Sequence, residues 1–116
     1  MDHEKAAATL AELGNTHRLS VFRFLVKAGH DGAPVGDIQK ALGIPASTLS
    51  HHLARMAKVG LIRQEKLSRT IFCIPEFHHL EKLIGYLREE CCVGIQTDHG
   101  SDLGAGEQAS LEPTAR

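Results

Sequence analysis

The chain has 116 residues and few aromatic ones, with no tryptophan, one tyrosine and four phenylalanines. Leucine, isoleucine, valine and alanine must therefore fill the core, and this length predicts one small domain. No apolar run approaches the roughly 18 residues that a membrane-spanning helix needs. The first residues lack the basic-then-apolar order of a signal peptide. We therefore expect a cytoplasmic protein with no membrane contact.

Cysteine is also scarce, with Cys73, Cys91 and Cys92 as the three cysteines of the chain. An odd number of cysteines in a reducing compartment favours free thiols over a disulfide framework. The Cys-x-x-Cys pair expected of a small thiol-dependent reductase is absent from the sequence. We therefore expect neither an enzyme nor a catalytic cofactor.

The small net charge of −1 conceals an uneven distribution along the chain. Residues 93–116 contain four acids and one arginine, are rich in Gly, Ser and Ala, and show no periodicity. They predict a flexible acidic tail after a folded domain at 1–92. Residues 51–72, in contrast, hold five Lys or Arg and one Glu. Such a basic patch suits contact with DNA phosphates, and it also suits a merely solvated surface.

Apolar periodicity predicts helices at 4–13, 16–27 and 35–42. A tight Gly-Ile-Pro turn at 43–45 then leads into a further helix, since Pro favours the first turn of a helix. The apolar stripe of that helix is formed by Leu49, Leu53 and Met56. Two short helices joined by so brief a turn predict a helix-turn-helix motif.

The second helix of this motif is predicted to read DNA from its polar face. Short side chains that form hydrogen bonds can reach base edges in the major groove. The candidate DNA contacts on this helix are Ser47, Thr48, Ser50, His51, His52 and Arg55. Because His52 lies near the apolar stripe, the sequence leaves open whether it contacts DNA or supports the helix.

Two strands at 61–66 and 70–74 are predicted to form a β-hairpin. Its basic residues, Arg63, Lys66 and Arg69, are expected to contact phosphates. A final helix is predicted from Glu76 to about Cys92, with Cys91 continuing its apolar stripe. The expected fold is therefore mainly α with a small β-hairpin.

Helices near both ends of the predicted domain carry apolar stripes, although the core between them is small. A second copy of the chain is the simplest partner for this surface, and a homodimer suits a palindromic DNA site. In the alternative, both helices cover the core of their own monomer.

Three segments resemble the ArsR/SmtB family of winged-helix repressors. Residues 13–25 resemble the family's "LGDPTRLRILRLL" opening. Residues 47–53 and 59–62 resemble its recognition helix and the start of its wing. The resemblance spans roughly residues 5–92, and it implies a dimeric winged helix-turn-helix repressor. Such a repressor leaves its double-stranded operator DNA on a metal, metalloid or redox signal.

The resemblance also bears on the inducer. Where arsenic and cadmium sensors of the family place a Cys-x-Cys pair, residues 34–38 have no cysteine. Where zinc, cobalt and nickel sensors place ligands on the last helix, only His78 and His79 are present, at its start. The adjacent Cys91 and Cys92 resemble the arsenic-sensing branch. Cys73 resembles the upstream cysteine of members that respond to trivalent organoarsenicals.

Thiolates are soft ligands that select thiophilic ions. Trivalent arsenic takes three thiolates, whereas its monomethyl derivative takes two. Cys91 and Cys92 supply two, if the helix ends there, and Cys73 supplies a third if the wing lies against the last helix. The sequence therefore predicts a repressor released by trivalent arsenic or an organoarsenical.

Other interpretations stay open at this point. Cys73 and Cys91 can be small core residues. The chain can be a redox or persulfide sensor, in which Cys73 and one cysteine of the adjacent pair form a disulfide. It can also be a winged-helix protein-interaction module, which would show no salt-dependent DNA binding.

Overall fold

The computed structural model describes residues 1–95, which form five helices and three short strands. The three strands form one antiparallel sheet in the order β1-β3-β2. The elements in chain order are α1 (His3–Leu13), α2 (Thr16–Ala28), β1 (Ala33–Pro34), α3 (Val35–Leu42), α4 (Ala46–Lys58), β2 (Ile62–Leu67), β3 (Thr70–Pro75) and α5 (Phe77–Arg88). The prediction of a mainly α fold with a small hairpin is confirmed.

Side-chain caps explain where the first two helices begin. The side chain of Asp2 accepts a hydrogen bond from the backbone N–H of Lys5. Asn15, at the break predicted between the helices, accepts from the N–H groups of His17 and Arg18. These contacts satisfy donors that have no partner within the helix.

The turn between α3 and α4 has the predicted geometry. Gly43 lies in the left-handed region, with φ 65° and ψ 30°, and its N–H donates to the carbonyl of Gln39. Glycine adopts this conformation without the cost that a Cβ would add. Pro45 then directly precedes α4. The predicted helix-turn-helix is therefore present.

The core lies beneath α4, whose three stripe residues Leu49, Leu53 and Met56 are almost completely buried. Their burial confirms the predicted inward face of this helix. The buried cluster around them contains Val21, Phe22, Leu25, Ala33, Ile38, Ile44, Leu61, Ile62 and Cys73. Because α4 fills the core with one face, its opposite face is held toward solvent.

The strand β1 was not predicted, since two residues are too short to show alternation. It pairs with β3, with Ala33 opposite Cys73. Gly32 precedes it at φ 70°, and a Cβ there would collide with the backbone carbonyl of Cys73. Only glycine permits this close approach, which extends the predicted hairpin into a three-stranded sheet.

The prediction that α5 continues to about Cys92 is wrong, because the helix ends at Arg88. Glu89 leaves the helical region, and Glu90 and Cys92 both have a φ of 63°. Two acidic residues at a helix C-terminus oppose the negative end of its dipole, which disfavours continuation. Cys91 consequently lies in a turn and is exposed, not on the apolar stripe.

No helix within residues 1–95 is long and apolar enough to span a membrane. Of the tail predicted at 93–116, only residues 93–95 are described, and they lie outside the helix in exposed positions. Residues 96–116 lie outside the described part of the chain, so the domain boundary stays a prediction.

Candidate nucleic-acid interface and thiol pair

The outward face of α4 is polar and accessible. Five of the six predicted contacts on this helix are exposed, namely Ser47, Thr48, Ser50, His51 and Arg55. Ser47, His51 and Arg55 occupy the side opposite the buried stripe, with Thr48 and Ser50 on its flanks, as the periodicity predicts. This arrangement can present several hydrogen-bonding groups to one groove of DNA while the other side of α4 stays packed.

The sixth predicted contact, His52, needs a correction. Only 8% of this residue is exposed, and its Nδ1 lies 3.2 Å from a guanidinium nitrogen of Arg18. Burial lowers the pKa of His52, and the nearby charge of Arg18 lowers it further. The ring therefore lies beneath the outward face and supports α4 against α2, which was the alternative left open.

Arg55 belongs to an ion-pair network that the sequence did not reveal. Its Nε and one terminal nitrogen donate to the two carboxylate oxygens of Glu12, at 2.9 and 3.2 Å. The same carboxylate lies 3.2 Å from Nε of Arg18, which also donates to the backbone carbonyl of Glu12. Hydrogen bonding by Arg55 is the main cause of the lowered pKa of Glu12. The network joins α1, α2 and α4.

The basic residues of the hairpin fall into two groups. Arg63, near its base, forms ion pairs with Glu65 at 2.9 Å and Glu76 at 3.2 Å. Lys66 and Arg69 lie at the tip, are exposed, and form no ion pair with the other described residues. The tip is therefore the more suitable of the two for phosphate contact, because Arg63 already has two carboxylate partners.

Cys91 and Cys92 form an exposed thiol pair in the turn after α5. Their Sγ atoms are 3.4 Å apart. The backbone N–H of Cys91 donates to the carbonyl of Arg88, and that of Val93 donates to Glu90. Both sulfur atoms can reach one ligand only if the helix ends before the pair, and this condition is met. The pair can therefore offer two sulfur atoms to one soft acceptor.

Cys73 does not join this pair within one protomer. It is completely buried on β3, and burial raises the pKa of its thiol to about 11. Among residues 1–95, no group of three His, Cys, Asp or Glu side chains is placed to hold a metal ion. The predicted third thiolate is therefore not provided by this chain alone, and Cys73 packs as a core residue.

The first and last helices, α1 and α5, contact each other through polar side chains. Thr9 Oγ1 and His79 Nε2 lie 3.1 Å apart, and His3 Nδ1 and the Tyr86 hydroxyl lie 2.6 Å apart. Apolar side chains on the same helices remain exposed, including Leu10, Ile84 and Leu87. This exposure is consistent with the expectation that a second copy of the chain packs against these helices.

Comparison with known proteins points to one class. Residues 13–65 match a family described as helix-turn-helix domain. The HTH-type transcriptional regulator YgaV of Escherichia coli (strain K12) is 30% identical over 89 residues, which are 77% of this chain and 88% of YgaV.

Solved structures show the same fold. HlyU from Vibrio cholerae N16961 is similar with a TM-score of 0.62 and 26% identity, covering 79% of this chain and 99% of HlyU. An ArsR-like transcriptional regulator from Rhodococcus sp. RHA1 has a TM-score of 0.68 at 17% identity, covering 98% of this chain and 95% of that one.

Proposed function

Because the chain belongs to the family of helix-turn-helix transcriptional regulators that includes YgaV, and has the winged-helix fold of an ArsR-like regulator, we propose that it is a DNA-binding repressor. It acts as a homodimer on double-stranded operator DNA, and a trivalent arsenical bound at Cys91 and Cys92 releases it. The observation that carries the proposal is α4, which is buried along its apolar stripe and exposed along its polar face.

DNA recognition divides between two surfaces. Ser47 and His51 on α4 have the short polar side chains that reach base edges, which is where sequence is read. Lys66 and Arg69 at the hairpin tip supply positive charge for phosphates, which adds affinity without reading sequence. The two surfaces are separate parts of the fold, so they can be altered independently.

The homodimer is supported by the exposed apolar side chains of α1 and α5. Leu87 is 57% exposed and Leu10 is 41% exposed. Burying a leucine side chain contributes roughly 1.5–3 kcal/mol, and a two-fold interface buries each residue twice. Two copies related in this way would place two α4 helices in successive major grooves, about 34 Å apart.

The proposed inducer is a trivalent arsenical with one organic substituent. Such a compound carries two hydroxyl groups, and each thiol of the pair replaces one of them. Two As–S bonds form and two water molecules leave. The 3.4 Å separation of the two sulfur atoms and their exposure support this chemistry. Inorganic arsenite would find two thiols in one protomer instead of three.

Release requires that the arsenical binds the free dimer more tightly than the DNA-bound dimer. The thiol pair lies in the turn after α5, whose apolar residues Ile84 and Leu87 belong to the proposed interface. A ligand that changes the end of this helix can therefore alter the relative placement of the two α4 helices. Coupling of this kind is typically worth about 1–3 kcal/mol.

A second candidate is a repressor that senses persulfide. The close, exposed sulfur atoms of Cys91 and Cys92 also suit oxidation by a persulfide, which takes two electrons from the two thiols. The pair would then form a disulfide, and the persulfide would be reduced to a thiol and hydrogen sulfide. Because this disulfide forms within the adjacent pair, it does not require Cys73, unlike the disulfide considered from the sequence.

One experiment tests the proposed function in two stages. The full chain first selects duplexes from a random-sequence DNA library, and an enriched palindromic motif supports a dimeric DNA-binding protein. The complex is then titrated with phenylarsine oxide, arsenite, zinc, cadmium or a persulfide donor. We expect release by phenylarsine oxide at the lowest dose. Failure to enrich any motif would refute sequence-specific DNA recognition. Release by zinc alone or by the persulfide donor alone would refute the proposal that an arsenical is the inducer.

A further inference from the structure

The carboxylate of Glu12 connects α1 to the DNA-facing side of α4. It accepts two hydrogen bonds from Arg55, and Nε of Arg18 lies 3.2 Å from Oε1, the oxygen that also accepts from Nε of Arg55. The Glu12 side chain is only 14% exposed, whereas that of Arg55 is 48% exposed. One end of this ion pair is therefore fixed in the fold, and the other end reaches the surface proposed to meet DNA.

The hydrogen bonds to Glu12 leave one edge of the Arg55 guanidinium available to donate further hydrogen bonds. A guanidinium has five N–H donors in a rigid plane. Glu12 takes the Nε donor and one donor of a single terminal nitrogen. The remaining donors include one on each terminal nitrogen, and these two point in parallel away from the arginine stem. This second fork matches the O6 and N7 acceptors of guanine in the major groove.

We infer that Glu12 is a positioning residue for DNA recognition, which holds Arg55 so that its second fork pairs with a guanine in the operator. The inference rests on the proposed function, because it requires that α4 lies in the major groove. His51, one helical turn before Arg55, is exposed on the same face and would contact a neighbouring base pair.

Fixing Arg55 in advance contributes to specificity in a definite way. An unrestrained arginine can reach phosphates as easily as bases, and a phosphate contact carries no sequence information. The rigid pair with Glu12 restricts those alternatives, and less side-chain freedom is lost when DNA binds. The negative charge of Glu12 also weakens attraction to any phosphate backbone. Removing Glu12 should therefore strengthen binding to random DNA and weaken the preference for the operator.

The test compares Glu12→Gln, Arg55→Lys and the double variant in the full chain, on the duplex selected by the wild-type protein and on random-sequence duplex. The measured quantity is the ratio of the two affinities. We expect each single variant to lower this ratio about tenfold, the loss typical of one bidentate pairing with guanine, and the double variant to lower it no further. Glu4→Gln, which removes an exposed charge from the same helix, should leave the ratio unchanged.

Two further comparisons distinguish a defect in folding from a loss of base recognition. Arg55→Lys leaves the Glu12–Arg18 ion pair in place, so its loss of preference cannot come from that ion pair. Substitution of the guanine by hypoxanthine, which retains O6 and N7, should preserve the preference, whereas 7-deazaguanine, which lacks N7, should lower it. Single variants whose effects add, or equal losses on both duplexes, would overturn the inference. If the wild-type protein selects no motif, the proposed function itself fails.

Discussion

Arg18 on α2 donates a hydrogen bond to Nδ1 of His52 on α4, with 3.2 Å between the two nitrogen atoms. Arginine cannot accept a hydrogen bond, so Nδ1 of His52 must be unprotonated and the ring neutral. A proton on Nδ1 would remove the acceptor and place a second positive charge beside Arg18. This hydrogen bond therefore makes the packing of α4 against α2 sensitive to pH.

Stability should fall as the solution becomes more acidic. The pKa values of His52 and His79 both lie below the usual 6.5 in the folded chain, chiefly because of burial. The unfolded chain therefore binds more protons below about pH 6.5, and the free energy of unfolding decreases as pH falls through this range. Urea denaturation between pH 8 and pH 5 should show this decrease.

His52→Gln should make the same curve shallower, since glutamine offers an acceptor to Arg18 and does not titrate. The exposed His51 provides the matched control, and His51→Gln should change the pH dependence less than His52→Gln does, because His51 is a minor cause of the lowered pKa of His52. Identical slopes in the wild-type and His52→Gln proteins would show that the Arg18–His52 hydrogen bond does not contribute to the pH dependence of stability.

The hairpin should contribute affinity without specificity. The double variant Lys66→Ala, Arg69→Ala should weaken binding to operator and random DNA alike. It should also reduce the slope of log affinity against log salt by about 0.9 for each phosphate that is no longer neutralised. Arg63→Ala should change the slope less, because Arg63 is paired with Glu65 and Glu76. A salt slope unaffected by removal of both tip side chains would exclude the hairpin from the interface.

The dimer interface can be tested with two leucines of equal exposure. Leu87 on α5 and Leu67 on the hairpin are each 57% exposed. Leu87→Glu should convert the dimer to a monomer in sedimentation experiments, because it places two like charges at the proposed interface. Its melting temperature should fall and should no longer depend on protein concentration, because dimerisation stabilises the folded chain by mass action. Leu67→Glu should remain dimeric, and the reverse pattern would place the interface elsewhere.

Release should depend on the exposed thiols alone. The double variant Cys91→Ser, Cys92→Ser should bind operator DNA normally but remain bound when phenylarsine oxide is added. Cys73→Ser should still be released, at a cost of about 1–3 kcal/mol in stability for a buried hydroxyl. Release of the double variant by phenylarsine oxide would mean that the sensor lies elsewhere in the molecule.

Periodicity predicted some features of this fold well and others not at all. The stripe of Leu49, Leu53 and Met56 identified the buried and exposed sides of α4, because a helix repeats on a fixed period. The same rule extended α5 too far. Cys91 continues the spacing from Leu87, and an apolar pattern does not register the unfavourable charges of Glu89 and Glu90.

The ion-pair network was beyond reach of the sequence for a different reason. Glu12 and Arg55 are 43 residues apart, and nothing in either local pattern pairs them. Burial of His52 could be suspected only from its position beside the stripe. The thiol pair was found from the sequence because adjacent cysteines are a local signal, but whether Cys73 joins the pair depends on tertiary structure.

We propose that the polar face of α4 reads DNA sequence. The most direct test is the affinity of the Ser47→Ala, His51→Ala double variant for the selected operator and for random-sequence duplex, measured at the same salt concentration. We expect a loss on the order of 1–3 kcal/mol on the operator and a much smaller loss on random DNA. Equal losses on both duplexes would contradict it, because these side chains would then contact only the phosphate backbone.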